Sequence, residues 1–301
     1  MRLAGGAGDD NMTRAFSIDL RTLALFRICL GLIILADLIN RAQFLTVFYT
    51  DAGVLPRAEA IAFNHWARIS FHLGVGSTSL MALLFVVEGL FAILLILGYR
   101  TRWVMVISWI LLLSMQNRNM VIQQGGDQLL GALAFWAMFL PLGARYSVDA
   151  ALRPDNEPAG DNRYVSAATV AILLQAIYVY FVGALLKDND IWMPDGDAVY
   201  YALHLDSIAT PLGYWFRDFG APVLPLLTVF VWTIEFLAPF LMFSPVWHVQ
   251  LRLVTQFLLI SMHLGFVAFL RIGLFPAVSI SSLLLFTPSA VWDWLGARVF
   301  P

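Results

Sequence analysis

The sequence predicts an all-α protein, a polytopic transmembrane helical bundle of about eight membrane segments with interfacial helices in its outer loops. Two observations support this prediction. Hydrophobic residues make up 60% of the 301 residues and charged residues only 13%, and the mean hydropathy is +0.78. The apolar runs are also long and continuous, whereas the strands of a membrane barrel alternate polar and apolar residues. Since only helices and closed barrels satisfy every backbone polar group in lipid, a helical bundle is expected.

Eight apolar runs are candidates for membrane segments. They are Leu20–Ile39, Leu80–Leu97, Trp103–Met115, Gln128–Leu142, Val165–Leu186, Val223–Phe243, Leu253–Phe269 and Leu274–Phe286. The third and the last are shorter than the roughly 20 residues that cross a bilayer core, so tilt, re-entry or longer flanks must supply the missing length. The sequence therefore does not decide between seven and eight full spans.

The chain reads as one membrane domain with short ends. Residues 1–16 predict a disordered cytoplasmic tail, residues 17–297 a single transmembrane domain and residues 298–301 a short tail. Within the domain, Pro154–Arg163 is a polar, flexible linker between two halves of the bundle. We find no convincing repeat between the halves, which argues against a transporter.

The distribution of arginines predicts the orientation in the membrane. Inner loops carry slightly more arginines than outer loops, and the short turn Tyr99–Arg102 carries two. We therefore expect both termini in the cytoplasm, in a bacterial inner membrane. The outer loops Arg41–Ser79 and Lys187–Ala221 are long and rich in aromatic residues, which suits segments that lie at the membrane interface.

Composition and motifs exclude several classes of function. The net charge of −2 gives no sign of a nucleic-acid partner. The single cysteine, Cys29, rules out a CxxC redox pair and a thiolate metal cluster. Histidines at metal-ligand spacing on one helix, a phosphate-binding glycine loop and a Ser/His/Asp nucleophile are all missing from the sequence, so no metal is expected.

Charged residues inside the apolar runs need an explanation, because each disfavours insertion by about 2.5–3.5 kcal/mol. Arg27 and Glu88 are predicted to form a buried, structural ion pair between neighbouring helices. Asp37 lies near a helix end, where we expect it to be solvated. Glu235 and His263 lie in the middle of their spans and either pack helices together or belong to a proton path.

The polar stretch Gln116–Asp127 interrupts the apolar pattern. Its paired glycines, Gly125 and Gly126, let the backbone approach a ligand closely, and its amides offer hydrogen-bond donors and acceptors. A tight outer turn with a helix cap at Asp127 explains the same residues equally well.

Lys187 ends an apolar run and also has two interpretations. Apolar surroundings disfavour its charged form, which would leave a neutral amine able to act as a base. Local sequence favours the alternative, a lysine that snorkels to the interface and pairs with Asp188 or Asp190. The first interpretation requires both aspartates to point away from the lysine, and Lys187 to turn inward toward Asn119, Asp127 or His263.

Several motifs give the chain a resemblance to a known family. They are Leu25-Phe26-Arg27, Gly98-Tyr99-Arg100, Tyr146-Ser147-Val148-Asp149, His263 followed by Ile272-Gly273, and Leu285-Phe286-Thr287-Pro288-Ser289. Together they resemble the HTTM family, the membrane domain shared with vitamin K-dependent gamma-carboxylase, over about Ser17 to Leu295.

The resemblance implies a function for Lys187. The carboxylases use a lysine five residues before a tryptophan to deprotonate a vitamin K hydroquinone, and Lys187 precedes Trp192 by that spacing. Glu235 matches an acidic residue in the corresponding span. The implied protein is a membrane enzyme that uses a reduced quinone, of the menaquinol or vitamin K hydroquinone type, in base-initiated, oxygen-dependent chemistry. Its partners are then the lipid bilayer, the hydrophobic quinone and an unidentified second substrate, such as a peptide or protein.

One departure from the family pattern concerns the polar stretch. The carboxylases have Asn-Asn-His where this chain has Gln124-Gly125-Gly126 followed by Asp127, so the histidine's role is unnecessary, taken over by Asp127, or lost. The large extramembrane domain of the carboxylases is not found in these residues, so we expect no propeptide recognition of that kind. The alternative to an enzyme is a non-enzymatic membrane factor for the maturation or export of a secreted peptide.

The resulting site prediction has two parts. The catalytic candidates are Lys187, Asp127, His263 and Glu235. The cofactor-binding candidates are Asn117, Asn119, Gln123, Gly125, Gly126 and Trp192.

Overall fold

The computed structural model describes residues 13–63, 70–153 and 162–299, and helices dominate it. The α-helices are α1 (Leu20–Ala42), α2 (Leu45–Tyr49), α3 (Arg57–Phe63), α4 (Thr78–Leu97), α5 (Thr101–Arg118), α6 (Gly125–Ala137), α7 (Val148–Ala151), α8 (Ala167–Leu185), α9 (Ala198–His204), α10 (Pro211–Phe219), α11 (Leu224–Met242), α12 (His248–Phe269), α13 (Phe275–Leu284) and α14 (Ser289–Val299). Short 3-10 helices cover Phe71–Gly74 and Met120–Ile122, and β1 (Ile18–Asp19) pairs antiparallel with β2 (Arg163–Tyr164). The predicted all-α class is confirmed.

Five of the described helices are long and apolar enough to cross a membrane: α1, α4, α8, α11 and α12. The pair α13 and α14 adds a sixth candidate, bent by 84° at the break between the two helices. The predicted count of about eight spans is not confirmed. Helix α6 has only 13 residues, and α5 includes Arg102 and ends in the polar residues Gln116–Arg118, so neither has the length and hydropathy of a full span.

The chain forms two compact units. The first unit comprises residues 23–161, and the second comprises residues up to 22 together with residues from 162 onward. Most of the predicted disordered tail, residues 1–12, lies outside the described residues, and residues 13–16 form one helical turn. Residues 154–161 of the predicted linker also lie outside them, while Arg163 already belongs to β2.

Three of the family-like motifs meet in the first unit. Gly98 ends α4 in the left-handed conformation, with φ of 72°. The guanidinium group of Arg27 fills the space beside it, since a Cβ atom on Gly98 would lie 1.8 Å from Arg27 Nη1. Arg27 Nη2 donates a hydrogen bond of 2.6 Å to the carbonyl oxygen of Tyr146. The glycine is therefore required by both its backbone conformation and its neighbour.

Asp149 completes this cluster by capping α5. Its carboxylate accepts hydrogen bonds of 2.7 Å from the backbone N–H groups of Arg100 and Thr101 and from the Thr101 hydroxyl. Partial burial acts to raise the pKa of Asp149, but these hydrogen bonds outweigh it and hold the pKa below the usual value. The Tyr146–Asp149 motif thus fixes the turn between α4 and α5.

Two sequence predictions about buried charges are wrong. Arg27 and Glu88 do not pair: Arg27 donates to Tyr146, and the titratable side chain beside Glu88 is His72, 3.9 Å away. Asp37 is not solvated but buried, with 4% of its surface exposed, because Arg41 Nε donates a 2.8 Å hydrogen bond to it from the next helical turn. The partner of Arg27 is a backbone carbonyl, which no residue type marks in the sequence, whereas Arg41 follows Asp37 by four residues, the spacing of neighbours on one helix face.

The second unit is built around α11, which packs against α8 and α12, with α13 packing on α12. Helices α9 and α10 lie within the predicted outer loop and pack against α11 and α12. Backbone pairing between Ala209 and Leu270, and a hydrogen bond of 2.7 Å from the Thr210 hydroxyl to the Ala268 carbonyl, fix α10 to the end of α12. This arrangement encloses the cavity described below.

We expect Gly98→Ala to lower the stability of the protein by about 2 kcal/mol or more, because a left-handed alanine is strained and its methyl group would displace Arg27. Gly89→Ala is the matched control, since its Cβ would meet only Leu35 Cδ1 at 3.8 Å. Thermal unfolding in detergent measures both variants. Equal melting temperatures for the two would show that the Arg27–Gly98 contact does not matter.

Candidate functional site

The second unit contains a cavity of about 540 Å³ that is lined by residues of α8 to α13. Most of its wall is apolar and aromatic, including Phe230, Phe266 and Phe275. Small residues make the space: Gly265 lines the cavity, and a Cβ atom placed there would meet nothing within 4 Å. A concave, largely apolar pocket with a few polar groups is the usual form of a small-molecule site.

An ion pair supplies the first polar group of this cavity. Lys187, just beyond the end of α8, donates from Nζ to Glu235 Oε2 in the middle of α11. Only 19% of the Lys187 side chain and 9% of the Glu235 side chain are exposed. Nζ also lies 4.7 Å from the centre of the Trp192 ring, within cation–π range. The three side chains form one contact group at the cavity wall.

The loop aspartates do not hold Lys187. Asp188 and Asp190 are exposed, and the ion pair of Lys187 is with Glu235. This is the first of the two conditions for the interpretation of Lys187 as a buried base. For the second condition, Lys187 lines the same cavity as His263, whereas Asn119 and Asp127 belong to the first unit. Lys187 is therefore not a snorkelling residue paired to its neighbours in the loop.

A second polar pair lines the same cavity. Tyr180 Oη and His263 Nε2 lie 2.8 Å apart, and both side chains are buried. The sequence analysis identified His263 but missed Tyr180. A signal was present, because Tyr180 precedes Lys187 by seven residues, and two helical turns place both on one face of α8.

The predicted residues of the polar stretch belong to the first unit. Asp127 Oδ1 accepts a 2.5 Å hydrogen bond from Arg41 Nη2, and Oδ2 accepts one of 2.9 Å from the backbone N–H of Gln124. Arg41 also donates to Asp37 and, at 2.7 Å, to the Tyr49 hydroxyl. Both carboxylate oxygens of Asp127 thus have partners, and the bond from Gln124 is that of a helix cap. The catalytic role of Asp127 stays a prediction.

The amides of the stretch mostly brace the turn itself. Asn119 donates to the Phe48 carbonyl at 3.0 Å and accepts from the Val121 N–H at 3.1 Å. Gln123 donates to the Gln116 carbonyl at 2.8 Å. Gly126 is buried. Gly125 faces open space, since a Cβ atom placed on it would meet nothing within 4 Å. Asn117 lines a separate cavity of about 200 Å³. Their binding of a cofactor also stays a prediction.

The structure therefore brings together four of the predicted site residues, Lys187, Trp192, Glu235 and His263, and adds Tyr180 to them. Among the residues that the structure describes, no three His, Cys, Asp or Glu side chains are placed to hold a metal ion.

The fold and cavity define an integral membrane protein with an apolar small-molecule pocket inside one helical unit. The HTTM domain model matches residues 16–294, nearly the whole chain, and the chain belongs to the HTTM family. This domain is associated with the membrane domain of vitamin K-dependent carboxylase. No curated protein and no solved structure matches the chain.

Lys187 and Glu235 neutralise each other, so we expect Glu235→Gln to lower the stability of the protein by about 3 kcal/mol. This value is at the low end for buried ion pairs because Lys187 is partly exposed. Lys187→Met combined with Glu235→Gln should recover most of that loss. Thermal unfolding of the single and double variants measures the coupling. Asp188→Asn is the control and should leave the melting temperature unchanged. If Asp188→Asn lowers the melting temperature as much as Glu235→Gln does, Glu235 is not the main partner of Lys187.

Proposed function

We propose that this protein is a membrane enzyme that binds a reduced hydrophobic quinone in the cavity of its second unit and uses Lys187 as the base that accepts the quinol proton. The observation that carries the proposal is the contact group of Lys187, Glu235 and Trp192 at the wall of an apolar cavity. The family membership supports it, since the related carboxylases start from a lysine of this type. The second substrate, a peptide or protein among the candidates, is left open.

The residues of the cavity suit such a ligand. A volume of about 540 Å³ is within the range of pockets that enclose drug-sized molecules. Aromatic walls favour a flat ring, and the ion pair offers a donor and an acceptor at one place. When bound, a reduced quinone supplies an acidic hydroxyl group and the electrons for oxygen-dependent chemistry.

Lys187 must first become a free amine to act as a base. In the ion pair, Nζ carries three protons and Glu235 Oε2 is the acceptor. Apolar surroundings disfavour separated charges, so transfer of one proton from Nζ to Oε2 leaves a neutral amine beside a neutral acid. Nζ then takes the hydroxyl proton of the ligand and is an ammonium group again, now next to the ligand oxygen. Return of the Glu235 proton to solvent or substrate completes the cycle.

Trp192 holds the base in position during these transfers. Its ring faces Nζ at 4.7 Å and stabilises the ammonium form. Once Nζ has taken the ligand proton it is an ammonium group while Glu235 is still neutral. The Trp192 contact then keeps Nζ at the cavity wall. We also propose a bacterial inner membrane and cytoplasmic termini, as the arginine distribution predicts.

We expect the purified protein to contain an extractable quinone and to oxidise added menaquinol in the presence of oxygen. Lys187→Met should keep the bound quinone but lower the oxidation rate by about 100-fold or more, because only the proton acceptor is removed. Ultraviolet spectroscopy and mass spectrometry of the extract measure binding, and oxygen uptake measures turnover.

A second variant separates binding from chemistry. Gly265→Leu fills the cavity, so we expect it to lose the quinone while keeping the melting temperature of the unliganded protein. Gly296→Leu is the control, because Gly296 also lies in a helix and its Cβ would meet nothing within 4 Å, but it does not line the cavity. A protein that neither contains nor binds quinone would favour the non-enzymatic maturation factor, and full turnover in Lys187→Met would exclude this lysine as the base.

A further inference from the structure

The first unit contains a second pair of buried titratable groups, which the proposed reaction does not use. His72, in the 3-10 helix Phe71–Gly74, and Glu88, in the middle of α4, both have side chains with 0% exposure. His72 Nε2 lies 3.9 Å from Glu88 Oε2. Neither Nε2 nor either oxygen of Glu88 has a hydrogen-bond partner.

The charge of Glu88 follows from this geometry. An ionised carboxylate that is fully buried and accepts no hydrogen bond is strongly disfavoured, whereas a neutral acid needs only an acceptor for its proton. The cation nearest to Glu88 on α1, Arg41, is already engaged by Asp37, Asp127 and Tyr49. The carboxylates of Asp37 and Asp127 offset the charge of Arg41. Glu88 is therefore left with His72 as its acceptor.

The other ring nitrogen of His72, Nδ1, bears on which nitrogen carries the imidazole proton. Its ring Nδ1 lies 2.8 Å from Ser114 Oγ on α5, and the same Oγ accepts the backbone N–H of His72 at 3.1 Å. A hydroxyl oxygen can accept both of these protons, and the tautomer with the imidazole proton on Nδ1 leaves Nε2 free to accept. In the other tautomer the Ser114 hydroxyl donates to Nδ1, and Nε2 carries the proton. Burial, with a smaller contribution from the positive charge of Arg118, lowers the pKa of His72 to about 4.

We propose that His72 and Glu88 form a buried proton-binding site in which Glu88 carries the proton at neutral pH and Nε2 of His72 is its acceptor. The observed 3.9 Å exceeds hydrogen-bond length by about 1 Å, which a small rotation of the Glu88 carboxyl group closes. A buried acid in a membrane segment with a histidine beside it is the type of group that takes up and passes on protons. The site is separate from the Lys187 cavity and does not depend on the quinone proposal.

Infrared spectroscopy of the detergent-solubilised protein tests the charge of Glu88 directly. The chain has four glutamates, so labelling glutamate with ¹³C at the side-chain carboxyl separates their bands from those of the aspartates. We expect a protonated-carboxyl band at pH 7 that disappears in Glu88→Gln and persists in Glu59→Gln, whose side chain is exposed. An identical spectrum in Glu88→Gln would mean that Glu88 is ionised and would overturn the proposal.

Nitrogen NMR of ¹⁵N-histidine protein tests the acceptor. We expect one protonated and one unprotonated ring nitrogen for His72 at pH 7, and a shifted Glu88 carboxyl band in His72→Phe, which keeps a ring but removes the acceptor. The protonated nitrogen should be Nδ1. Two protonated nitrogens would indicate an ion pair, and a proton on Nε2 would make that nitrogen a donor, so either result would contradict the assignment. If His72→Phe does not fold, Ser114→Ala provides the second variant, because loss of the Nδ1 partner should change the His72 resonances without removing the carboxyl band.

The same site predicts a pH dependence of stability. The unfolded chain binds a proton at His72 below about pH 6.5, whereas the folded protein does so only near pH 4. The contribution of His72 to stability is therefore fully present above pH 6.5 and is lost as the pH falls toward 4. Glu88 acts in the opposite direction, because it holds a proton in the folded protein at neutral pH but loses it in the unfolded chain above about pH 4.3, so the two contributions offset each other between about pH 4.3 and 6.5. We expect the melting temperature of the wild type to fall relative to that of His72→Phe as the pH is lowered through this range, because only the wild type loses the contribution of His72. Parallel curves for both proteins would show that His72 is not the group responsible.

Discussion

The constraint on which this structure depends is that a charge placed among apolar helices must have a partner. The ion pair of Lys187 and Glu235 shows why: either group alone in the cavity would lack the solvation that water supplies, and together they line a space that is otherwise apolar. The pair joins α8 to α11, the helices at the centre of the second unit. A lysine that could reach bulk water would place no such demand on the packing.

The first unit meets the same constraint with a shared cation. Arg41 forms ion pairs with both Asp37 and Asp127 and donates a hydrogen bond to the hydroxyl of Tyr49. Burial raises the pKa of that hydroxyl to about 12, so it stays neutral. Two carboxylates share one guanidinium, whose planar fork of donors can serve several acceptors, unlike the point charge of lysine. This network links α1 to the start of α6, which explains why the polar stretch holds its shape although it interrupts an apolar sequence.

The sequence was sufficient for the fold class and for much of the cavity site, but not for the pairing of its residues. Lys187, Glu235, His263 and Trp192 could be predicted because polar residues in apolar runs are conspicuous and because the spacing of Lys187 to Trp192 matches the family. Tyr180 was missed since a tyrosine in a membrane helix is unremarkable until its spacing to Lys187 is considered. The Arg27–Glu88 pairing was wrong for a different reason: the partner of Arg27 is a backbone carbonyl, and every residue type has one, so no sequence pattern marks it.

The two buried acid–base pairs also differ in a way that bears on function. Glu235 faces a primary amine that can carry up to three protons, with an aromatic ring beside it to stabilise the ammonium form. Glu88 faces an imidazole whose other nitrogen is already engaged by Ser114. In the proposed reaction the first pair is charged at rest and yields a base when an apolar ligand excludes water. In the proposed proton-binding site the second pair is neutral and changes its charge when a proton arrives. Lining a large cavity suits the first pair to chemistry on a bound molecule, while the 0% exposure of both side chains limits the second pair to the exchange of protons.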